Sequence, residues 1–136
     1  MPITELYAKL EEGGKNEVED IVRQINHAFI ACSVFILIAI FTPLVAFYFN
    51  PLGENIDVWF QRSGAITVVF GLLADIQAAR LKHLSFSNSR PFLYGPIYVK
   101  RKYSACAIWV NGVALIVVIT GTVIWGYGDL LCTLLC

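Results

Sequence analysis

Residues 28–49 read AFIACSVFILIAIFTPLVAFYF, a run of twenty-two residues without a charged side chain. As an α-helix this run would be roughly 33 Å long, against about 30 Å for the hydrocarbon core of a bilayer. A secretory signal peptide would have a basic start and a shorter apolar stretch, whereas the residues before this run are rich in Glu and Asp. The run therefore predicts a permanent transmembrane helix.

The composition agrees with a lipid environment, because 57% of the residues are hydrophobic and only 15% are charged. Ten Lys and Arg residues balance ten Asp and Glu residues, so the chain has no concentrated basic surface for a nucleic acid. We find no Ser, His and Asp set, no pair of intramembrane carboxylates and no phosphate-binding loop. We therefore expect neither an enzyme nor a bound cofactor.

Two further segments can cross a bilayer. Residues 103–127 form a second long apolar stretch, with Asn111 as its only strongly polar side chain. Residues 64–74 are apolar for only eleven positions, so a middle span over 58–79 must include Arg62 and Asp75.

The distribution of Lys and Arg decides whether the middle segment crosses, since these residues stay on the cytoplasmic side. Residues 80–102 contain six of them, whereas 50–63 contain one, and a crossing middle span places the three cations of the amino terminus on the same side as the basic loop. We therefore predict an all-α polytopic membrane protein, with its amino terminus cytoplasmic and its carboxyl terminus outside. The predicted parts are cytoplasmic amphipathic helices over 1–27 and a three-helix transmembrane domain over 28–136, with spans at 28–49, 58–79 and 103–127 and a basic cytoplasmic loop at 80–102.

Small and polar residues recur at heptad steps along the middle and last spans, which predicts packing faces, because small side chains let helices approach closely in lipid. The middle stripe consists of Gln61, Gly64, Val68, Gly71, Asp75 and Ala78. The last stripe consists of Ser104, Ala107, Asn111, Ala114, Val118, Gly121 and Trp125.

Asp75 is the main candidate for a functional intramembrane residue, because a carboxylate in hydrocarbon costs on the order of 3 kcal/mol unless it is neutralised or paired. Three interpretations stay open. Asp75 pairs with Arg80 or Lys82 at the interface, it serves a proton- or cation-related role, or it makes a packing hydrogen bond with Asn111.

The first span carries bulky residues on nearly every side, so we expect it to face lipid and to cover the other two spans. Pro43 removes one backbone hydrogen bond within it. Thr42 is placed to help satisfy the freed carbonyl.

Apolar residues at helical spacing on both sides of Gly13 and Gly14 predict two short amphipathic helices before the first span. Asn16 and Glu19 resemble a capping box and mark the expected start of the second helix. The polar faces of these helices are acidic, so we expect them to pack on the protein's own basic loop or on a protein partner. In that loop, Lys100, Arg101 and Lys102 are expected to contact lipid headgroups. The aromatic segment before them is expected in the membrane interface.

The four cysteines match no metal-binding motif. Cys32 and Cys106 fall near the same ends of their spans as His27 and His83, but the chain has no C-x-x-C or H-E-x-x-H pattern. We expect no metal site and interpret these cysteines as core residues.

The carboxyl-terminal region contains GYGD at residues 126–129, which looks like part of a potassium-channel filter. A filter needs an inner helix after it, and only seven residues follow Asp129. We instead predict a helix that ends at these glycines, followed by an interfacial tail in which Cys132 and Cys136 are thiols.

The segments WFQRSGA, from Trp59, and GTVIWGYGDL, from Gly121, resemble parts of small bacterial inner-membrane proteins. The resemblance implies a bacterial source and an inner-membrane location. It transfers no activity and no functional residue.

Two functions of different classes follow from these patterns. In the first, which we favour because one antiparallel contact cannot easily use both stripes, the stripes assemble a homo-oligomer that conducts ions or protons or acts as a membrane effector, and the candidate pore or packing residues are Asp75, Asn111, Gln61, Gly64, Gly71 and Gly121. In the second, the stripes pack within one chain, and the protein is a non-conducting membrane anchor or adaptor that recruits a protein partner through its cytoplasmic amino-terminal helices.

Overall fold

The protein is described by a computed structural model over residues 2–8, 12–49, 53, 55–86 and 94–135. These residues form four helices, which are α1 (Ile3–Ala8), α2 (Glu12–Tyr48), α3 (Ile56–Phe86) and α4 (Tyr94–Leu135). The helices α2, α3 and α4 are each long and apolar enough to cross a membrane. The prediction of an all-α fold with three potential spans is therefore confirmed.

The long helices extend well beyond a bilayer core. With 37 residues in α2 and 42 in α4, these two helices are about 55 Å and 63 Å long, roughly twice the thickness of the hydrocarbon. The predicted break at Gly13 and Gly14 is wrong, because both glycines lie inside α2, and the start at Asn16 is wrong for the same reason. A glycine costs a helix only about 1 kcal/mol, which burial of Val18 and Ile25 readily offsets.

Helix α3 lies between α2 and α4, which contact each other much less than either contacts α3. Towards its neighbours α2 buries one residue at every seventh position, namely Ile25, Cys32, Ala39 and Ala46. We expected no stripe on this helix, and that expectation is wrong. The small residues bring α2 close to α3, while the bulky side chains between them stay exposed, as predicted for a helix that faces lipid.

One end of the bundle is a helical layer of its own, which we call the amino-terminal layer. It comprises α1, residues 12–27 of α2 and the first turns of α4. The rings of Tyr7 and Tyr98 lie 5.4 Å apart between α1 and α4. The core below them contains Val18, Ile25, Ala28, Leu81, Tyr98, Val99 and Ala107. The amphipathic helices were expected to pack on the chain's own basic loop or on a protein partner. In the structure they pack on the chain's own basic segment.

Exposed arginines bracket an apolar belt on α3. Arg62 and Arg80 are eighteen positions apart, or about 27 Å along a helix, close to the thickness of a hydrocarbon core. The large side chains exposed between them are all apolar. Near the Arg62 end, Trp125 and Tyr127 of α4 are also exposed, as aromatic residues at a membrane interface are.

Candidate functional site

The middle and last stripes face each other across the contact between α3 and α4. A Cβ atom on Gly64 would collide with the backbone of Trp125 and would lie 2.9 Å from the carbonyl carbon of Ile124. A Cβ on Gly121 would lie 3.0 Å from the backbone nitrogen of Val68. At both positions the missing side chain lets two helix backbones touch.

The facing pairs define one antiparallel register. Gly128 lies against Gln61, Gly121 against Val68, and Gly71 against Val118. As the residue numbers rise along α3 they fall by the same steps along α4. Members of both stripes thus pack against each other within a single chain.

Helix α4 bends at this contact. Tyr127 has φ −129° and ψ 17°, which is not helical, yet the helix resumes and continues to Leu135. The predicted helix end at the glycines is therefore wrong. The Nε2 atom of Gln61 donates a hydrogen bond to the carbonyl oxygen of Trp125 at 3.0 Å, so α3 supplies a donor to the backbone where the helix is distorted.

A second polar contact joins α2 and α3 at Pro43. In a regular helix the backbone N–H of residue 43 would donate to the carbonyl of Ala39, and proline has no N–H. The hydroxyl of Thr67 lies 3.2 Å from that carbonyl oxygen and 3.1 Å from the carbonyl oxygen of Ser63 in its own helix, so its one proton is shared between the two acceptors. The expectation for Thr42 is wrong, because its hydroxyl donates to Ile38. The side chain that satisfies Ala39 comes from the neighbouring helix, which the sequence of the first span alone does not reveal.

Cys32 makes the other link between these helices. Its buried thiol donates to the carbonyl oxygen of Ala74 at 3.3 Å. Among the described residues, no group of three His, Cys, Asp and Glu side chains lies close enough together to hold a metal ion. Cys106 is exposed and Cys132 is a buried thiol near the end of α4 rather than part of an interfacial tail. Cys136 and most of the aromatic segment before Lys100 lie outside the described residues.

Asp75 is half-buried next to the contact of the three helices, where Cys32, Ala74, Ala78 and Ala114 are buried together. Within the described part of the chain it makes neither a hydrogen bond nor an ion pair. The packing hydrogen bond with Asn111 and the ion pair with Arg80 or Lys82 are therefore not formed in this structure.

Asn111 lies nearer to the basic end of α3. It lines a cavity of about 500 Å³ together with Ala79, Lys82, His83 and Phe86. An amide and two basic side chains at one cavity form a polar surface where the apolar belt ends.

The three basic residues that begin α4 have different neighbours. The Nζ atom of Lys102 donates to the hydroxyl of Tyr98 at 3.1 Å, and the Nζ atom of Lys100 lies 5.7 Å from the ring centroid of Phe86. Arg101 is exposed. All three stand at the junction between the amino-terminal layer and the apolar belt, and their contact with lipid headgroups stays a prediction.

No family model matches the chain, and the comparisons with curated proteins and with solved structures returned no match. The candidate site is therefore interpreted from its own geometry.

Proposed function

We propose that the protein is a non-conducting integral membrane protein that anchors or adapts a protein partner at the cytoplasmic face of a bacterial inner membrane. Three helices hold it in the bilayer, and the amino-terminal layer carries the surface for the partner. The proposal of a non-conducting protein rests on the direct contact between the middle and last stripes, since residues that pack against each other do not line a pore.

The orientation is proposed from the charges. Lys and Arg are concentrated at the end of the bundle that carries the amino-terminal layer, and such residues favour the cytoplasm. Bacterial origin and the inner membrane rest on the resemblance of the two short segments described above.

Charge complementarity indicates the kind of partner. The apolar face of the amino-terminal layer is covered by its own core, which leaves a polar outer surface. On α1 and the start of α2, that surface exposes Glu5, Glu17, Glu19 and Asp20. A surface with this excess of carboxylates attracts a basic protein and is repelled by anionic lipid.

The test is site-specific photo-crosslinking in intact membranes. Val18 is buried, so the crosslinking amino acid belongs at Glu17 or Asp20, with Leu72 on the exposed apolar face of α3 as the control position. We expect capture of a basic protein from Glu17 and Asp20, lost when the surrounding carboxylates are replaced by Lys and weakened by salt. Capture of only lipid or of a second copy from these positions would contradict the adaptor function.

Self-association with ion or proton conduction is the second candidate function, and the surroundings of Asp75 favour it. A half-buried carboxylate without a hydrogen bond or ion pair among the described residues is a costly feature that a function would justify. Such an assembly would use an outer surface of the bundle, because the stripes are in contact within the chain.

The two candidates differ in ion flux. In vesicles that contain the purified protein, conduction through Asp75 predicts a proton or cation leak that the Asp75→Asn variant loses. Asp57, near the start of α3 and outside the apolar belt, provides the matched control as Asp57→Asn. Equal flux in empty vesicles, wild type and both variants would exclude conduction and leave the anchor.

A further inference from the structure

The cavity between α3 and α4 at the basic end of the apolar belt has the composition of an anion site. It encloses about 500 Å³, which falls in the range of about 300 to 1,000 Å³ that is typical of small-molecule sites. Its wall combines two basic side chains, one amide and two apolar side chains, and no carboxylate lines it. These residues are Ala79, Lys82, His83, Phe86 and Asn111.

The polar side chains of this cavity have no partner in the protein. Lys82 and His83 are exposed, and Asn111 is half-buried. Within the ranges that the structure describes, none of the three makes a hydrogen bond or an ion pair. The ammonium group of a lysine has three N–H donors and the amide of an asparagine has two. An anion with several acceptor oxygens would therefore complement the cavity in both charge and hydrogen bonding.

A third cation stands at the same wall. The Nζ atom of Lys100 lies 5.7 Å from the ring centroid of Phe86, which lines the cavity. The carboxylate of α3 that is nearest to Lys82 in sequence is Asp75, seven residues earlier and roughly 10 Å along the helix. The positive charge at the cavity is therefore not neutralised by its own helix.

The depth of the cavity is that of lipid headgroups. Gly71 lies against Val118, so the same antiparallel register places Ala78 opposite Asn111 seven residues further on. Ala78 precedes Arg80, which marks the end of the apolar belt, by two residues or about 3 Å. The amide of Asn111 thus lies where the hydrocarbon core gives way to the interface that holds phosphates and glycerol esters.

An apolar surface continues from the cavity into the belt. Leu72 and Ile76 precede Ala79 by seven and three residues, so the three side chains share one face of α3. Leu72 and Ile76 are both exposed. A ligand that uses the whole surface therefore has an anionic head and an apolar tail, which excludes a free phosphate ion as the best fit.

We propose that this cavity binds the headgroup of an anionic phospholipid of the cytoplasmic leaflet. Lys82, His83 and Lys100 attract its phosphate, the amide of Asn111 donates to a phosphate or ester oxygen, and an acyl chain follows Ile76 into the belt. Basic pockets between transmembrane helices at the cytoplasmic side are typical sites for such headgroups. The proposal depends on insertion into a bilayer but on neither a protein partner nor conduction. Loss of partner capture would therefore leave it intact.

Retention of lipid tests the site. The full chain is reconstituted in nanodiscs of phosphatidylcholine with a minor fraction of phosphatidylglycerol, and native mass spectrometry in mild detergent measures the phosphatidylglycerol that stays bound. Lys82→Gln removes one cation, and Ala79→Trp fills the cavity. The matched controls are Arg80→Gln, an exposed cation at the same depth that does not line the cavity, and Ala65→Trp, an exposed alanine of α3 far from it.

We expect wild type, Arg80→Gln and Ala65→Trp to retain phosphatidylglycerol, and Lys82→Gln and Ala79→Trp to retain about five-fold less. Circular dichroism checks that all variants keep the same helix content. Equal retention by all five proteins would overturn the proposal. An equal loss in Lys82→Gln and Arg80→Gln would also overturn it, because it would indicate surface charge without a site.

Two further measurements distinguish the occupants. Inorganic phosphate, compared with chloride at the same ionic strength, should not displace the lipid, and displacement would identify a free phosphate as the ligand instead. A photo-crosslinking amino acid in place of His83 should capture lipid. Capture of a second copy of the chain from this position would contradict the proposal.

Discussion

At the scale of single residues, side chains of α3 donate hydrogen bonds to backbone carbonyls at the irregular positions of the two neighbouring helices. Pro43 frees the carbonyl of Ala39, and Thr67 from the next helix donates to it. The bend at Tyr127 distorts α4, and Gln61 donates to the carbonyl of Trp125. In hydrocarbon no water can replace the donor to Ala39, so the proline in α2 depends on a side chain of α3.

We expect Thr67→Val to lower the free energy of unfolding by about 0.5 to 1.5 kcal/mol, because the buried carbonyl of Ala39 loses its donor. Thr42→Val is the control, since the hydroxyl of Thr42 donates within its own helix, to a carbonyl that keeps its backbone donor. Unfolding in mixed micelles titrated with SDS and followed by circular dichroism measures both.

A second variant, Pro43→Ala, tests whether Thr67 acts through the carbonyl of Ala39. It restores the backbone N–H, so Thr67→Val should cost clearly less in the Pro43→Ala background than in wild type. The same cost in both backgrounds would show that Thr67 does not act through the carbonyl of Ala39.

At the scale of helices, the contact between α3 and α4 depends on glycines. We expect Gly64→Ala to destabilise the protein by about 1 to 3 kcal/mol, because the new methyl group meets the backbone of α4. Gly112→Ala is the matched control, since a Cβ at Gly112 meets nothing within 4 Å. Thermal unfolding in detergent compares the two variants. Equal stability would mean that the helices lie farther apart than described.

The heptad steps contain the residues at which α3 and α4 meet, because in lipid close backbone approach leaves a direct pattern in the sequence, but they omit Ser63, Thr67 and Ala74, which α3 also buries. Helix boundaries were harder to predict. Gly13 and Tyr127 suggest helix ends, but each helix continues past that position because tertiary contacts stabilise it. The three interpretations of Asp75 could not be decided from the sequence, because depth counted from the ends of the apolar runs does not give the register between α3 and α4. The stripe on α2 was missed although Cys32, Ala39 and Ala46 repeat every seven residues, because larger neighbours hide it.

At the scale of the whole molecule, the antiparallel register predicts a specific covalent link. A Cβ on Gly128 would lie 3.2 Å from the Cβ of Gln61 and 2.9 Å from its Cα, so the two helices must move apart by a few tenths of an ångström to reach the Cβ separation of about 3.5 to 4.5 Å that is usual in a disulfide. In a chain without its native cysteines, we expect Gln61→Cys with Gly128→Cys to form a disulfide within one chain. Gel mobility should stay that of a monomer, and Gln61→Cys alone should form no bond. A covalent dimer from the double variant would show instead that the stripes pair between subunits.

The three-span topology predicts that residues near the two ends of α3 are accessible from opposite sides of the membrane. A cysteine in place of His83 should react with an impermeant thiol reagent only from the cytoplasmic side, and a cysteine in place of Glu54 only from outside. Labelling in right-side-out and inverted vesicles measures this. Labelling of both positions from one side would contradict a crossing by α3.

Helices α2 and α4 pass from the amino-terminal layer into the apolar belt without a hinge, since both are continuous through the junction. Each therefore joins the amino-terminal layer to the apolar belt as one continuous helix. In the proposed adaptor, a force on a bound partner would tilt these two helices, and the thickness of the bilayer would resist the tilt.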